Sequence, residues 1–260
     1  MDEYAGGARL WLRNYAPAPG AAVRLVCFPH AGGAASAYHP MVQALAPVVD
    51  VTAVQYPGRQ DRRAEPCVEN IPELVERIVP VLSGLDDGRP LALFGHSMGA
   101  TVAYEVARRL EAADGPQPAV VFLSGRRAPR YHQPGRVHLQ DDEGILRELT
   151  LLGGSAVEAL TDPELLELVM PAIRGDYRAV ETYAHVPGAP LRCPVVALTG
   201  DADPRAEVAE VEAWREYTEG PFSCHVFPGG HFFLQERADE VHRTVRERLA
   251  EPAVRGAGAR

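Results

Sequence analysis

No apolar run in this sequence is long enough to span a bilayer, and no N-terminal stretch joins a basic start, an apolar core and a small-residue cleavage site. We therefore expect neither a membrane span nor a cleaved leader, and a cytoplasmic location. Cysteine is scarce: Cys27, Cys67, Cys193 and Cys224 are widely spaced, with no CxxC pair and no histidines at metal-ligand spacing. Structural zinc is not expected, and reduced thiols are. Cys27, Cys193 and Cys224 fall in or beside apolar strand-like runs, where a thiol serves as a small core residue. Positive charge is in deficit, and the formal net charge of −9 argues against general affinity for nucleic acid or anionic membrane. An acidic partner would have to meet a local basic patch. Internal repeats and linkers are absent as well.

The 260 residues suit one domain, residues 1–260, with a short insertion. Hydrophobic residues at 46% and charged residues at 23% match an ordinary globular protein. Short β-branched runs at 23–28, 51–56, 91–94, 119–123, 195–199 and 225–227 read as strands. Between them, 38–46, 71–82, 100–112, 207–217 and 238–250 have helical periodicity. This alternation predicts a mostly parallel sheet flanked by helices, an α/β protein. From 130 to 190 no strand pattern occurs, and helical periodicity returns at 143–151 and 164–183. Thr161 and Asp162 before Pro163 supply N-cap chemistry and a proline at the first helical position. The segment reads as a helical insertion, either a lid or a plain extra layer. The Gly-, Ala- and Arg-rich tail from 251 is expected to fray.

Residues 91–94 run directly into Gly95-His96-Ser97-Met98-Gly99, and a helical pattern opens at Ala100. Strand, G-x-S-x-G, helix is the context of a nucleophile elbow in the α/β-hydrolase fold. The turn is so sharp that the residues two before and two after the serine must be small. It lifts the Ser97 hydroxyl out of the sheet and sets the Met98 N–H and the helix N-terminus where an oxyanion would develop. His96 should point away from Ser97 and is read as structural.

A serine needs a base, and the base needs an orienting acid; in this fold the chain order is Ser, acid, His. His231 lies in Pro228-Gly229-Gly230-His231, between the last strand and the final helix, and is the expected base. His225 falls in the strand and His242 in the helix, while His132, His138 and His185 belong to the insertion. The acid should follow the penultimate strand, where Gly200-Asp201-Ala202-Asp203 offers two carboxylates. Asp201 adjoins the glycine turn, where a side chain commonly caps its own loop, so Asp203 is preferred. The loop after the preceding strand, Ser124-Gly125-Arg126-Arg127-Ala128-Pro129, has no carboxylate. A second oxyanion donor is expected from Phe28-Pro29-His30-Ala31-Gly32-Gly33, at the N–H of Ala31. Neither GxGxxG nor GxxxxGK[ST] is present, so that glycine turn is not read as a phosphate loop.

These stretches, with Gln55-Tyr56-Pro57-Gly58-Arg59, Leu123-Ser124-Gly125-Arg126 and Gly229-Gly230-His231-Phe232-Phe233, resemble the type II thioesterases that work beside modular polyketide synthases and nonribosomal peptide synthetases. The motifs occur in family order across nearly the whole chain. The resemblance implies hydrolysis of acyl groups from the phosphopantetheine arm of acyl or peptidyl carrier proteins, in an editing role that clears stalled or misprimed intermediates. It assigns nucleophile to Ser97, acid to Asp203, base to His231 and oxyanion donors to Met98 and Ala31, with no cofactor of the enzyme's own. Tyr56 to Arg59 also reads as a plain turn, and Phe232 and Phe233 as core anchors of the histidine loop. Carriers are usually acidic, so a docking surface is expected from Arg126, Arg127, Arg130 and Arg136. A monomer is expected. Other esterases and macrocyclising acyltransferases share this fold. A cyclising enzyme is usually the last domain of a longer chain, whereas this sequence begins with its own Met1. A catalytically silent binding protein is the remaining alternative.

Overall fold

The computed structural model describes residues 10–85, 87–113, 115–153, 162–251 and 254. Thr161 and most of the tail from 251 lie outside the described residues. One sheet carries seven strands: β1 (Leu12–Arg13), β2 (Val23–Phe28), β3 (Val49–Val54), β4 (Leu91–His96), β5 (Pro118–Ser124), β6 (Val195–Gly200) and β7 (Phe222–Phe227). Their spatial order is β1-β3-β2-β4-β5-β6-β7, with β1 antiparallel to β3 and the remaining pairs parallel.

The strands from β2 to β6 are buried almost throughout, as expected for parallel strands covered on both faces. Their period of two sends Val26, Phe28, Leu93 and Val121 to one face and Leu25, Cys27, Phe94 and Phe122 to the other. The first face is covered by α2 (Ile71–Ser83) and α3 (Met98–Ala112), the second by α1 (His39–Leu45) and, at the far end of the chain, Ala238–Ala250. Asn70 caps α2 by accepting the Glu73 N–H at 3.0 Å. Burial pushes the Cys27 thiol well above its ordinary range and that of Cys224 up to about 11, so both stay protonated, Cys27 within the core and Cys224 half-buried against it.

The chain leaves β2 for β3 on one side and then crosses to β4 on the other, so the strand order reverses between β2 and β4. Loops at the carboxyl ends of those two strands flank the crevice where open α/β sheets place their sites. Between β5 and β6 lie α4 (Asp142–Leu152) and α5 (Pro163–Glu181), and the described residues there form no strand apart from an isolated bridge at Leu191. Asp162 caps α5 by accepting the Glu164 N–H at 2.9 Å, with Pro163 in the first turn. Val137, Ile145, Met170, Ile173 and Tyr177 form a small core within this insertion.

Four elements differ from expectation, one of them β7, which begins at Phe222, three residues before 225. The two-residue β1 is too short to carry a period and is set by edge pairing with Ala53 and Val54. Strand β3 runs two residues earlier than 51–56, releasing Gln55 and Tyr56 into a loop. The expected helix at 207–217 is only α6 (Val208–Glu212), followed by a 3-10 stretch over Ala213–Tyr217 that seats the fully buried Trp214.

Candidate active site

Ser97 joins β4 to α3 with φ 55° and ψ −118°, a backbone conformation that a non-glycine residue rarely adopts. Its N–H donates to the Ser124 carbonyl at 2.8 Å, which holds the turn against β5. A Cβ at Gly95 would lie 2.0 Å from the Gly99 carbonyl oxygen, and one at Gly99 would lie 2.0 Å from that of Phe28. Backbone passes where side chains would have to stand, so the elbow requires glycine at both positions.

The Ser97 Oγ lies 2.9 Å from His231 Nε2, and His231 Nδ1 lies 2.8 Å from Asp203 Oδ2. The Asp203 carboxylate is fully shielded from solvent and His231 is 3% exposed. Asp203 is fixed in turn by the Arg205 N–H, which donates to Oδ1 at 2.8 Å. A carboxylate only accepts, so Nδ1 carries the imidazole proton and the Nε2 lone pair faces the serine hydroxyl. Asp201 is exposed, and its carboxylate accepts the Gly229 N–H at 2.9 Å, pinning the end of β6 to the loop after β7.

His96 is fully buried and turned from Ser97, with Nδ1 3.0 Å from Ser124 Oγ and Nε2 without a hydrogen-bond partner among the described residues. Burial, reinforced by His231 and His30, holds its pKa well below the usual value. His30 is lowered to about 4 by burial, then by His231 and Arg59. Both rings therefore stay neutral at physiological pH and do not compete with His231 for a proton. Phe232 stands edge-on to His30 and His231, at 4.9 and 5.3 Å between ring centroids, while Phe233 is buried against Phe227.

Residues 30–33 form a turn in which the Gly33 N–H donates to the His30 carbonyl at 2.9 Å and Gly32 takes φ +75°, the type II arrangement that favours glycine. Met98 opens α3, so its N–H belongs to the first turn and has no intrahelical acceptor. Side chains from 55–59 and α5 meet the 29–35 loop. Tyr56 Oη donates to the Pro29 carbonyl at 3.4 Å, and Gln55 Oε1 accepts the Ala35 N–H at 2.9 Å. Arg59 donates to the Gly33 carbonyl at 3.1 Å and forms a bidentate pair with Asp176 of α5, at 2.5 and 2.9 Å. Asp176 also accepts the Gly32 N–H at 2.8 Å. Nothing in the local sequence marks Asp176, which lies 117 residues from Arg59.

A cavity of about 180 Å³ opens at this point, with Ala31, Ser97, Gly125 and His231 on its inner side. Its outer wall comes from the insertion: residues 132–135, Val137, Glu148, Leu152, Tyr177, Val180 and Glu181. Arg126 lines it with Nη2 3.1 Å from His132 Nδ1, and burial lowers its pKa to about 10. Arg127 also lines it, pairs with Glu210 at 3.4 Å and donates to the Arg205 carbonyl. Arg130 pairs with Glu216 at 2.5 Å, and Arg136 is exposed between the lining residues Gly135 and Val137. The four arginines thus do not stand as four free surface charges. Arg205, paired with Glu148 of α4, joins the Asp203 loop to the insertion and carries no motif.

A strained serine whose hydroxyl meets a shielded imidazole and carboxylate, beside backbone N–H groups and a cavity open to solvent, is suited to acyl transfer. A family model for the thioesterase domain matches residues 23–249. The thioesterase PikA5 of Streptomyces venezuelae is 49% identical over 240 residues, covering 92% of this chain and 85% of that protein. A probable cadicidin biosynthesis thioesterase of Streptomyces griseus is 50% identical over 242 residues, 93% of this chain, which spans only 66% of that relative's length. Among solved structures, the type II thioesterase BorB from the borrelidin biosynthetic cluster superposes with a TM-score of 0.86 at 51% identity, covering 92% of this chain and 98% of that one. The chain therefore belongs to the thioesterase family, with the α/β-hydrolase fold, and is a hydrolase acting on thioesters.

Proposed function

We propose that the protein releases acyl groups from the phosphopantetheine arm of carrier proteins, with Ser97 as nucleophile, His231 as base and Asp203 as orienting acid. The observation that carries this reading is the hydrogen-bonded chain from Ser97 Oγ through His231 to Asp203 at the floor of the cavity. Ser97 Oγ attacks the thioester carbonyl as its proton passes to His231 Nε2. The oxyanion is held by the N–H groups of Met98 and Ala31. Collapse expels the pantetheine sulfur, which takes the proton from His231; water, activated by the same imidazole, then frees the acid. Asp203 keeps Nδ1 protonated throughout.

An editing role in polyketide or peptide assembly follows relatives named as a probable cadicidin biosynthesis thioesterase and as the type II thioesterase of the borrelidin biosynthetic cluster. In this reading residues 1–260 form one domain, residues 130–190 are its lid, and the enzyme works in the cytoplasm as a monomer without a cofactor. The carrier docks at the mouth, where Arg136 is exposed and Arg126 lines the cavity. The test is intact-mass analysis of carrier proteins loaded with a panel of acyl groups. Loss of the acyl mass is expected. Carriers that stay loaded while simple oxygen esters are cleaved would assign the enzyme to esterases instead.

A further inference from the structure

The Gln55-Tyr56-Pro57-Gly58-Arg59 stretch takes no part in the triad, yet three of its side chains reach the loop that carries Ala31. An N–H is aimed by the peptide plane it belongs to, and that plane is set by whatever holds its carbonyl. The Ala31 N–H shares its plane with the His30 carbonyl, which accepts the Gly33 N–H at 2.9 Å. That turn depends on Gly32 and Gly33, residues with little conformational preference of their own. It is held from outside at both: the Gly32 N–H donates to Asp176 Oδ2 at 2.8 Å, and the Gly33 carbonyl accepts from Arg59 Nη1 at 3.1 Å. Arg59 and Asp176 are themselves buried, at 7% and 1% exposure, and joined by two parallel hydrogen bonds. Arg59 also donates to the Pro57 carbonyl at 3.2 Å, which fixes the guanidinium plane. Gly32 leaves no room for a side chain on the side facing α5, because a Cβ there would lie 2.8 Å from Ile173 Cγ1.

We infer that the buried Arg59–Asp176 pair is a positioning device that aims the Ala31 N–H into the oxyanion site and ties that donor to α5 of the insertion. This rests on the reading of Ser97 as nucleophile and Ala31 as oxyanion donor. It has a consequence for the insertion: α5 cannot swing away without dismantling the oxyanion loop, so any opening of the cavity belongs to other parts of the insertion. A buried pair of this kind contributes little net stability compared with apolar residues of like volume, so its presence here fits positioning.

The test uses Asp176→Asn, which keeps an acceptor for Gly32 but loses the charge, and the double variant Arg59→Gln/Asp176→Asn, which avoids a buried unpaired charge. Each is assayed with an acyl-loaded carrier protein, and by binding of two acyl-pantetheine analogues. One is a trifluoromethyl ketone, which forms a tetrahedral oxyanion on the serine; the other is a thioether, which does not. The expected result is a loss in kcat of about 10²-fold, comparable to removing one oxyanion donor, with KM within about threefold of wild type. Ketone affinity should fall by a similar factor while thioether affinity is unchanged. A folded double variant with wild-type kcat and ketone affinity overturns the inference, as does equal weakening of both analogues, which marks a merely structural pair. A Ser97→Ala variant that retains turnover would instead remove the nucleophile reading, a separate failure visible without either clamp variant.

Discussion

Asp201 and Asp203 stand two residues apart in one loop, and hydrogen bonding separates their roles. Asp203 faces His231 from a shielded position, whereas Asp201 is spent on the Gly229 N–H at the surface. Asp203→Asn is therefore expected to lower kcat by about 10⁴-fold, the scale seen when a triad aspartate loses control of its imidazole. Asp201→Asn should cost far less, and steady-state kinetics on a thioester substrate will rank the two. The histidines beside the triad make a different prediction. His96 and His30 are neutral in the folded protein, with pKa values held below the ordinary histidine value. Above about pH 6.5 neither folded nor unfolded imidazole is charged, and nothing is lost. As pH falls from there toward about 4, the unfolded chain takes up protons that folded His30 and His96 refuse, so stability drops. Thermal melts between pH 8 and 5 should show this drop, and His96→Gln should make it shallower; an unchanged slope would show that His96 does not contribute.

At the scale of elements, α4 and α5 share the insertion but are held very differently. On α5, nine residues from Met170 to Glu181 are buried, Asp176 is clamped by Arg59, and Arg178 pairs with Glu69 at 2.8 Å. On α4 only Gly144 and Ile145 are buried. Backbone amides of α5 should thus exchange with deuterium much more slowly than those of α4, because opening follows local burial and anchoring. Comparable exchange in both would contradict the anchoring of α5. The same contrast explains what could be read from sequence. Strands β2, β4, β5 and β6 and the Gly95 to Gly99 elbow were legible because each is dictated locally, by a continuous apolar run or by glycines with no space for a Cβ. Edge strand β1, the early end of β3 and the broken helix at 208–217 depend on pairing and on the seat of Trp214, which no local pattern encodes. Ser97, His231 and Asp203 could be named from chain order and loop position, while the partnership of Arg59 with Asp176 needed the fold.

Charge acts at the scale of the whole molecule. The chain has no lysine, so all 26 of its Lys and Arg residues are arginines, against 35 carboxylates. Most cations near the cavity are committed: Arg127 to Glu210, Arg130 to Glu216, Arg205 to Glu148. If an acidic carrier docks at the mouth, Arg136→Glu should lower kcat/KM for carrier-bound acyl groups and leave small-thiol substrates unchanged. Added salt should narrow the difference between the two substrates, since exposed charges are screened over about 10 Å at 0.1 M. Equal kcat/KM for both substrates at low salt, insensitive to Arg136→Glu, would remove the docking surface. The central claim lies deeper, at the hydroxyl that meets His231 at 2.9 Å. Its most direct test is release of an acyl group from a loaded carrier protein by wild type and Ser97→Ala side by side, followed by intact mass. Wild type should unload the carrier, and Ser97→Ala should be slower by several orders of magnitude, about 10⁶ where a triad serine has been removed from a protease. Unloading by a folded Ser97→Ala at a rate near that of wild type would contradict the account.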